Sequence, residues 1–419
     1  MNKNLYFYLK LLWDNIPFAI TPFIGMTYFM VTIPITSSLS SIESAAYSLY
    51  ATTSTLIIFS FAAIPPSMMK FTRDRVPIKK LFFVTLTWSI TLSIFVLIVL
   101  FIAANLSHNT EIERAFTYFL LMTPDVVFSI LCGFWSSVLI INKRGNELFK
   151  IGLYMLVLKF TLFYLLLNYT DSVLHLVVIP SLIVTVFYYA IIYSKAKDTL
   201  NVIENISNDF SPIKFIKSVH TDSLDAIVIS TTFMFVVWIS GTISESAIIF
   251  STIIMTTIRL VVLPMKRFGL AYGSKLSKMN NEETKCFILN TIKAKYIALI
   301  LFIPIIYLAF LFTNSSLNGN NINIIFFIIL LQVIIEPIAS YLTSISKYLG
   351  LGYKNLKYTI IYQWFFCIPI ILIIHASNYL TLASLWGVMV FGRWIFAIFY
   401  IFKLYNTLKY SNDSLEKIA

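Results

Sequence analysis

Residues Gln332 to Lys357 read QVIIEPIASYLTSISKYLGLGYKNLK, and they set Glu336 and Pro337 side by side within a long apolar run. A charged side chain at bilayer depth costs about 2.5–3.5 kcal/mol even on lenient insertion scales, so such a residue faces protein or water, not lipid. Proline removes a backbone donor and breaks the helical ladder. At membrane depth that break is tolerated where side chains or a wet cavity take up the freed carbonyl. Glu336 and Pro337 together predict the wall of a polar, water-containing cavity.

Composition gives the setting. The chain has 419 residues, 58% of them hydrophobic and 12% charged, with a mean hydropathy of +0.84. Soluble domains carry about 25% charged residues, so this chain reads as a membrane protein. Its formal net charge of +12 raises nucleic acid as a partner, but the placement of the charges argues against one. Cys132, Cys286 and Cys367 are few and scattered, with neither a disulfide framework nor a metal-ligand spacing. No cofactor motif is present. No cleavable signal peptide is expected, because Asp14 and Asn15 lead straight into a full-length span.

Apolar runs of about 20 residues, long enough to cross a bilayer, fall near 15–36, 45–69, 81–105, 116–142, 151–168 and 172–194. Further runs lie near 222–240, 246–265, 294–313, 322–346, 358–376 and 381–402. The expected fold is therefore an all-α polytopic membrane protein with twelve transmembrane helices. Of the 31 Lys and Arg, all but Arg114, Lys159, Arg259 and Arg393 fall in termini and alternate loops, including Lys266, Arg267, Lys293 and Lys295. The positive-inside rule then puts both termini in the cytoplasm. The outer loops are short, so no outer domain is available to house an enzyme's active site.

The two halves share landmarks. Glu43-Ser44-Ala45 opens the second span and Glu245-Ser246-Ala247 the eighth; each span closes on proline and a Met-Lys pair, Met69-Lys70 and Met265-Lys266. The fourth span carries Pro124-Asp125 and the tenth Glu336-Pro337. Landmarks six spans apart predict a parallel repeat of two six-helix lobes, a plan of secondary transporters. The expected boundaries are 1–200 for the first lobe, 201–221 for a connector, 222–405 for the second lobe and 406–419 for a tail.

The stretches SIESAAYSLYATT (41–53), MKFTRDR (69–75), SESAIIFSTI (244–253) and YLGLGYKNLKY (348–358) resemble the multidrug/oligosaccharidyl-lipid/polysaccharide (MOP) exporter superfamily over essentially the whole chain. The Glu-x-x-Ala-x-Ser-Leu pattern at Glu43 to Leu49 favours its polysaccharide or O-antigen flippase branch over the multidrug and toxic compound extrusion (MATE) branch. The first resemblance implies a non-enzymatic flippase. It would carry a lipid-linked oligosaccharide from the cytoplasmic to the outer leaflet of a bacterial inner membrane by alternating access. Membrane lipids and polysaccharide-assembly proteins would be its partners. The alternative implies a Na⁺- or H⁺-coupled exporter of small amphipathic compounds, with a cation site mapped onto Asp225 and Glu336.

The informative side chains are the ionisable ones at depth: Asp125, Lys159, Arg259, Glu336 and Arg393. In one reading Lys159, Arg259 and Arg393 meet an anionic head group such as a pyrophosphate, Arg as a bidentate fork and Lys as a point charge. In the other they pair with acids, Asp125 with Lys159 and Glu336 with Arg393 or Arg259. Glu336, Asp125 and Asp225 are the candidates for a coupling ion, although Asp225, like Asp222, lies near the cytoplasmic start of its span. His175 and His375 read as packed at outer span ends. The clusters Tyr6-Phe7-Tyr8, Tyr188-Tyr189 and Trp364-Phe365-Phe366 read as interfacial or lipid-facing.

Overall fold

The structure is a computed structural model, and it describes residues 3–14, 16–73, 76–107, 109–142, 144–197, 210–276, 281–314, 322–346 and 352–416. Parts of two quoted landmarks, 74–75 and 347–351, lie outside them. Among the described residues the regular elements are helices, with no strand. In chain order they are α1 (Lys3–Asp14), α2 (Ile16–Leu39), α3 (Ser41–Ser60), α4 (Ile64–Arg73), α5 (Ile78–Ser107), α6 (Thr110–Ile141), α7 (Gly145–Leu167) and α8 (Val173–Lys197). There follow α9 (Pro212–Ser240), α10 (Glu245–Leu276), α11 (Asn281–Asn314), α12 (Ile322–Ser346) and α13 (Gly352–Ile360). A wide π turn (Ile361–Cys367), α14 (Ile368–Ala376) and α15 (Leu382–Glu416) complete the order. Ten described helical spans are long and apolar enough to cross a membrane. The helices α2 and α11 cover the remaining two runs, 15–36 and 294–313.

Helix ends follow local chemistry. The Ser40 side chain accepts from the Glu43 N–H and starts α3, while Asn109 accepts from the Glu111 and Ile112 N–H groups and starts α6. These caps satisfy donors that a helix start leaves unpaired. At α9, extended Ser211 is followed by a proline in the first turn, where the missing N–H costs nothing. Helix therefore begins at Pro212, inside the stretch expected as a connector to 221; 201–209 lie outside the described residues. Likewise α15 runs to Glu416 through the region expected as a tail.

The chain forms two compact units, Ile35–Thr252 and Met1–Pro34 with Ile253–Ala419. Within the first, α3 packs on α9, and polar contacts tie α9 to the turn after α3, to α4 and to α5. The Ala63 N–H donates to Ser223 Oγ at 2.9 Å, Ser67 and Ser218 hydroxyls meet at 3.2 Å, and Trp88 Nε1 donates to His220 Nε2. Within the second, α12 packs on α15, with Ile335, Ala339 and Ala397 buried between them and Trp394 alongside. Here α10 approaches α12 at Gly269, where an added Cβ would stand 2.5 Å from Ser344 Cβ and 3.0 Å from the Tyr341 carbonyl.

That approach makes a stability prediction. Gly269→Ala must push apart two helices through backbone atoms, an overpacking cost of about 1–3 kcal/mol, and is expected to lower the thermal unfolding midpoint of the purified protein. Gly133→Ala, where an added Cβ meets nothing within 4 Å, is expected to leave the midpoint unchanged or raise it.

Candidate functional site

The site is built on one face of α12. Gln332, Glu336 and Ser340 stand four residues apart, one above another along the helix. Gln332 Nε2 donates to Glu336 Oε1, and Ser340 Oγ donates to Oε2. From α15, Arg393 Nε donates to Oε1 and Nη2 to Oε2, each at 2.9 Å. The guanidinium also reaches Ser340 Oγ at 3.1 Å and Tyr362 Oη at 3.4 Å. A carboxylate has about four acceptor positions, and here four donors fill them. Glu336 is 1% exposed and Arg393 6%.

Three irregularities in the backbone make this contact reachable. Gly392 lets α15 sit directly against Cys367, where any Cβ would collide with its sulfur. The π turn carries Tyr362 and Gln363, both buried, with Gln363 Nε2 donating to Tyr362 Oη at 2.7 Å. Wide turns of this kind recur at functional sites. Before Pro337, backbone carbonyls of α12 find side-chain donors: Tyr296 Oη reaches Ile334 O at 2.9 Å, and Trp394 Nε1 reaches Leu331 O at 3.1 Å.

The water-lined wall expected at Glu336 is therefore not what this conformation contains. The carboxylate is neutralised by Arg393 in the buried interior, and polar partners one turn away on either side complete its shell. Of the two pairing partners open to Glu336, Arg393 is the one it meets. Arg259 is also buried, at 3% exposure, on α10 of the same unit.

The remaining predicted residues fall in the other unit. Asp125 on α6 is half-buried and accepts from Thr185 Oγ1 on α8. Lys159 on α7 is half-buried and close enough for the Asp125 charge to act on it. Asp225 on α9 is half-buried, beside the Ser223 anchor. Asp225 and Glu336 thus belong to different compact units, and among the described residues no group of His, Cys, Asp and Glu is arranged to hold a metal ion.

Two residues carry more than the sequence reading gave them. Glu43, a repeat landmark, accepts from Arg114 and, at 2.9 Å, from Tyr118 Oη, while its counterpart Glu245 accepts from Ser41 Oγ at 2.7 Å. Lys295, counted with the loop lysines at the edge of the 294–313 run, is fully buried. The reason is length. At 34 residues, α11 is roughly 51 Å long at 1.5 Å per residue and outruns a hydrocarbon core of about 30 Å. Its protruding part is covered by α1, which packs along it.

No protein-family model and no curated protein sequence matches the chain. Solved structures do. A MOP-superfamily transporter from Pyrococcus furiosus superposes with a TM-score of 0.68 over 98% of both chains at 18% identity. The fold is that of the MOP-superfamily transporters. An inward-facing multidrug-resistance MATE transporter gives 0.67 at 16% identity over 96% of this chain and 99% of its own. A point mutant of the Vibrio cholerae MATE transporter VcmN gives 0.69 at 13% identity over 97% and 98%. The chain is thus a multi-pass membrane protein with a transporter fold.

The buried pair makes a prediction. Removing one partner strands the other charge, a loss of about 3–5 kcal/mol, whereas removing both leaves no orphan. Arg393→Met alone is expected to destabilise the protein strongly in chemical unfolding. Combined with Glu336→Gln, it is expected to cost clearly less than the sum of the single changes.

Proposed function

We propose that the protein is a non-enzymatic flippase of a bacterial inner membrane. It carries a lipid-linked oligosaccharide to the outer leaflet by alternating access, taking up the anionic head group on the cytoplasmic side. The observation that supports this is a charge imbalance. Among the described residues, the buried ionisable acids and bases are Arg259, Lys295, Arg393 and Glu336, and all four sit in the same compact unit. Among the described buried side chains of that unit, basic groups outnumber carboxylates. Desolvating each charge costs several kcal/mol, a persistent cost that an anionic cargo offsets each time it binds. Arg supplies bidentate donors to a pyrophosphate.

The closed Glu336–Arg393 pair fits such a cycle as its resting arrangement. A phosphate oxygen offers the guanidinium what the carboxylate offers it, so cargo displaces Glu336 from Arg393. The released carboxylate then remains beside Gln332 and Ser340, which still donate to it. Coupling to H⁺ or Na⁺ enters this scheme at Glu336, when it is no longer neutralised by arginine, and Asp125 and Asp225 serve the other unit in the same way.

A second reading, a cation-coupled exporter of amphipathic compounds, is supported by the multidrug transporters among the fold relatives. For the Pyrococcus furiosus protein a binding pocket of reversed polarity suggests a different function; in this chain the excess of buried basic over acidic side chains among the described residues is what favours an anionic cargo.

Complementation of a strain lacking its O-unit flippase separates these readings. The wild-type chain is expected to restore surface polysaccharide, and Arg259→Ala and Arg393→Ala to reduce it at least tenfold at equal membrane abundance. Failure of the wild type to restore polysaccharide, with gain of ethidium efflux abolished by Glu336→Gln, would overturn the flippase reading in favour of the exporter.

A further inference from the structure

Lys295 is a basic side chain enclosed by aromatic rings. Its side chain is fully buried, and Nζ has no hydrogen-bond acceptor there. What surrounds it is aromatic: Nζ lies over the Tyr341 ring and 5.1 Å from the centroid of Tyr272. One turn earlier on α11, the Thr291 hydroxyl is hydrogen-bonded to Tyr341 Oη. Ring faces favour a cation, but they leave an ammonium's three donors unused. A methionine would fill the same space without that loss, so packing alone does not account for a lysine here.

The box has a cover. Tyr8 of α1 meets Phe287 edge-on at 5.6 Å, Phe287 meets Tyr272 at 6.0 Å, and Tyr272 meets Tyr341 at 6.2 Å. Leu11 and Leu12 of α1 are buried, while Tyr6, Phe7, Lys10 and Trp13 are exposed. One face of this short helix therefore closes the box. The other presents the aromatic and basic side chains that suit the head-group zone of a membrane.

We propose that Lys295, Tyr341 and Thr291 form a binding site for a phosphate-type anion carried on a lipid, and that α1 is its lid. The Lys295 ammonium supplies up to three donors for phosphate oxygens, and the Tyr341 hydroxyl, now bonded to Thr291, which itself donates to the Phe287 and Ile288 carbonyls, turns to the anion when it enters. Entry along α1 requires an amphiphile, because the exposed face of that helix matches a membrane interface rather than bulk water. Both a polyprenyl pyrophosphate cargo and a resident anionic lipid carry this chemistry. The site extends the flippase reading but does not depend on Arg259 or Arg393, so the two proposals fail separately.

The test uses the full chain in nanodiscs of neutral lipid, with farnesyl pyrophosphate, phosphatidylglycerol and inorganic pyrophosphate as probes. Farnesyl pyrophosphate or phosphatidylglycerol is expected to bind the wild type, and Lys295→Met to weaken that binding at least tenfold, with Lys295→Arg retaining part of it. Dependence on Lys295 for farnesyl pyrophosphate alone identifies cargo, and for phosphatidylglycerol identifies a resident lipid; either supports the site. Lys295→Met is also expected to raise the thermal midpoint without probe, since it removes a buried polar group that has no hydrogen-bond acceptor. A lowered midpoint with unchanged binding would mark a purely structural lysine and overturn the proposal. So would inorganic pyrophosphate binding as tightly as the lipid probes. For the lid, a Lys295→Cys variant in a Cys286→Ser background is labelled with an impermeant maleimide. Tyr8→Ala is expected to speed labelling at least tenfold, and an unchanged rate would overturn the role of α1.

Discussion

A charge inside a membrane protein has to be neutralised by protein, because neither lipid nor dry packing will solvate it. In this chain that constraint is met most completely at Glu336, whose two oxygens receive donors from Gln332, Ser340 and both edges of the Arg393 guanidinium. Much of the surrounding architecture serves that contact. Small and apolar side chains, Ala339 and Ala397 among them, bring α12 and α15 together, and Gly392 removes the one Cβ that would hold α15 away from Cys367. The ion pair does not stabilise the fold strongly by itself, since the desolvation of two ions consumes most of their attraction. Its energetic weight lies in what happens when one partner is missing.

Much of this was legible in the residues. Bilayer thickness sets the length of a spanning helix, so the apolar runs translate directly into α5 to α10, α12 and α15, while the run at 45–69 divides between α3 and α4. A buried carboxylate needs a buried cation, which narrowed Glu336 to Arg393 or Arg259. The spacing of Gln332, Glu336 and Ser340 was also visible and indicates a satisfied carboxylate rather than a wet one, but polar residues four apart fit a cavity wall equally well. Only the approach of α15 decides between those, and helix-to-helix distance is set by packing that no single segment encodes.

Lys295 shows where sequence reasoning breaks down. The positive-inside rule counts lysines by their distance from apolar runs, and Lys293 and Lys295 lie at the edge of one. Lys293 is exposed and Lys295 is buried, because adjacent odd positions on a helix point about 200° apart at 100° per residue. The covering helix α1 lies more than 270 positions earlier in the chain. The same limit explains the connector. The stretch was expected as a connector to 221, yet α9 starts at Pro212 and is tied to α4 and to the turn before it through serines, Ser218 and Ser223, that carry no hydropathy signal.

The unit that carries the buried charges also concentrates its backbone irregularities around them. Pro337 follows Glu336 directly, the π turn supplies Tyr362, and Gly392 precedes Arg393. A regular helix has a single hydrogen-bonding arrangement and resists being bent. A helix interrupted by proline or a wide turn has fewer backbone bonds to break when it bends, and on α12 side chains of neighbouring helices, Tyr296 and Trp394, already bond carbonyls in the turns before Pro337. Changing the partner of a buried arginine requires α12 and α15 to shift relative to each other without exposing unpaired backbone to lipid. The irregularities lie beside the pair that the proposed cycle would open, so under that reading the residues that neutralise the charge stand where α12 and α15 have the fewest regular backbone bonds to disturb.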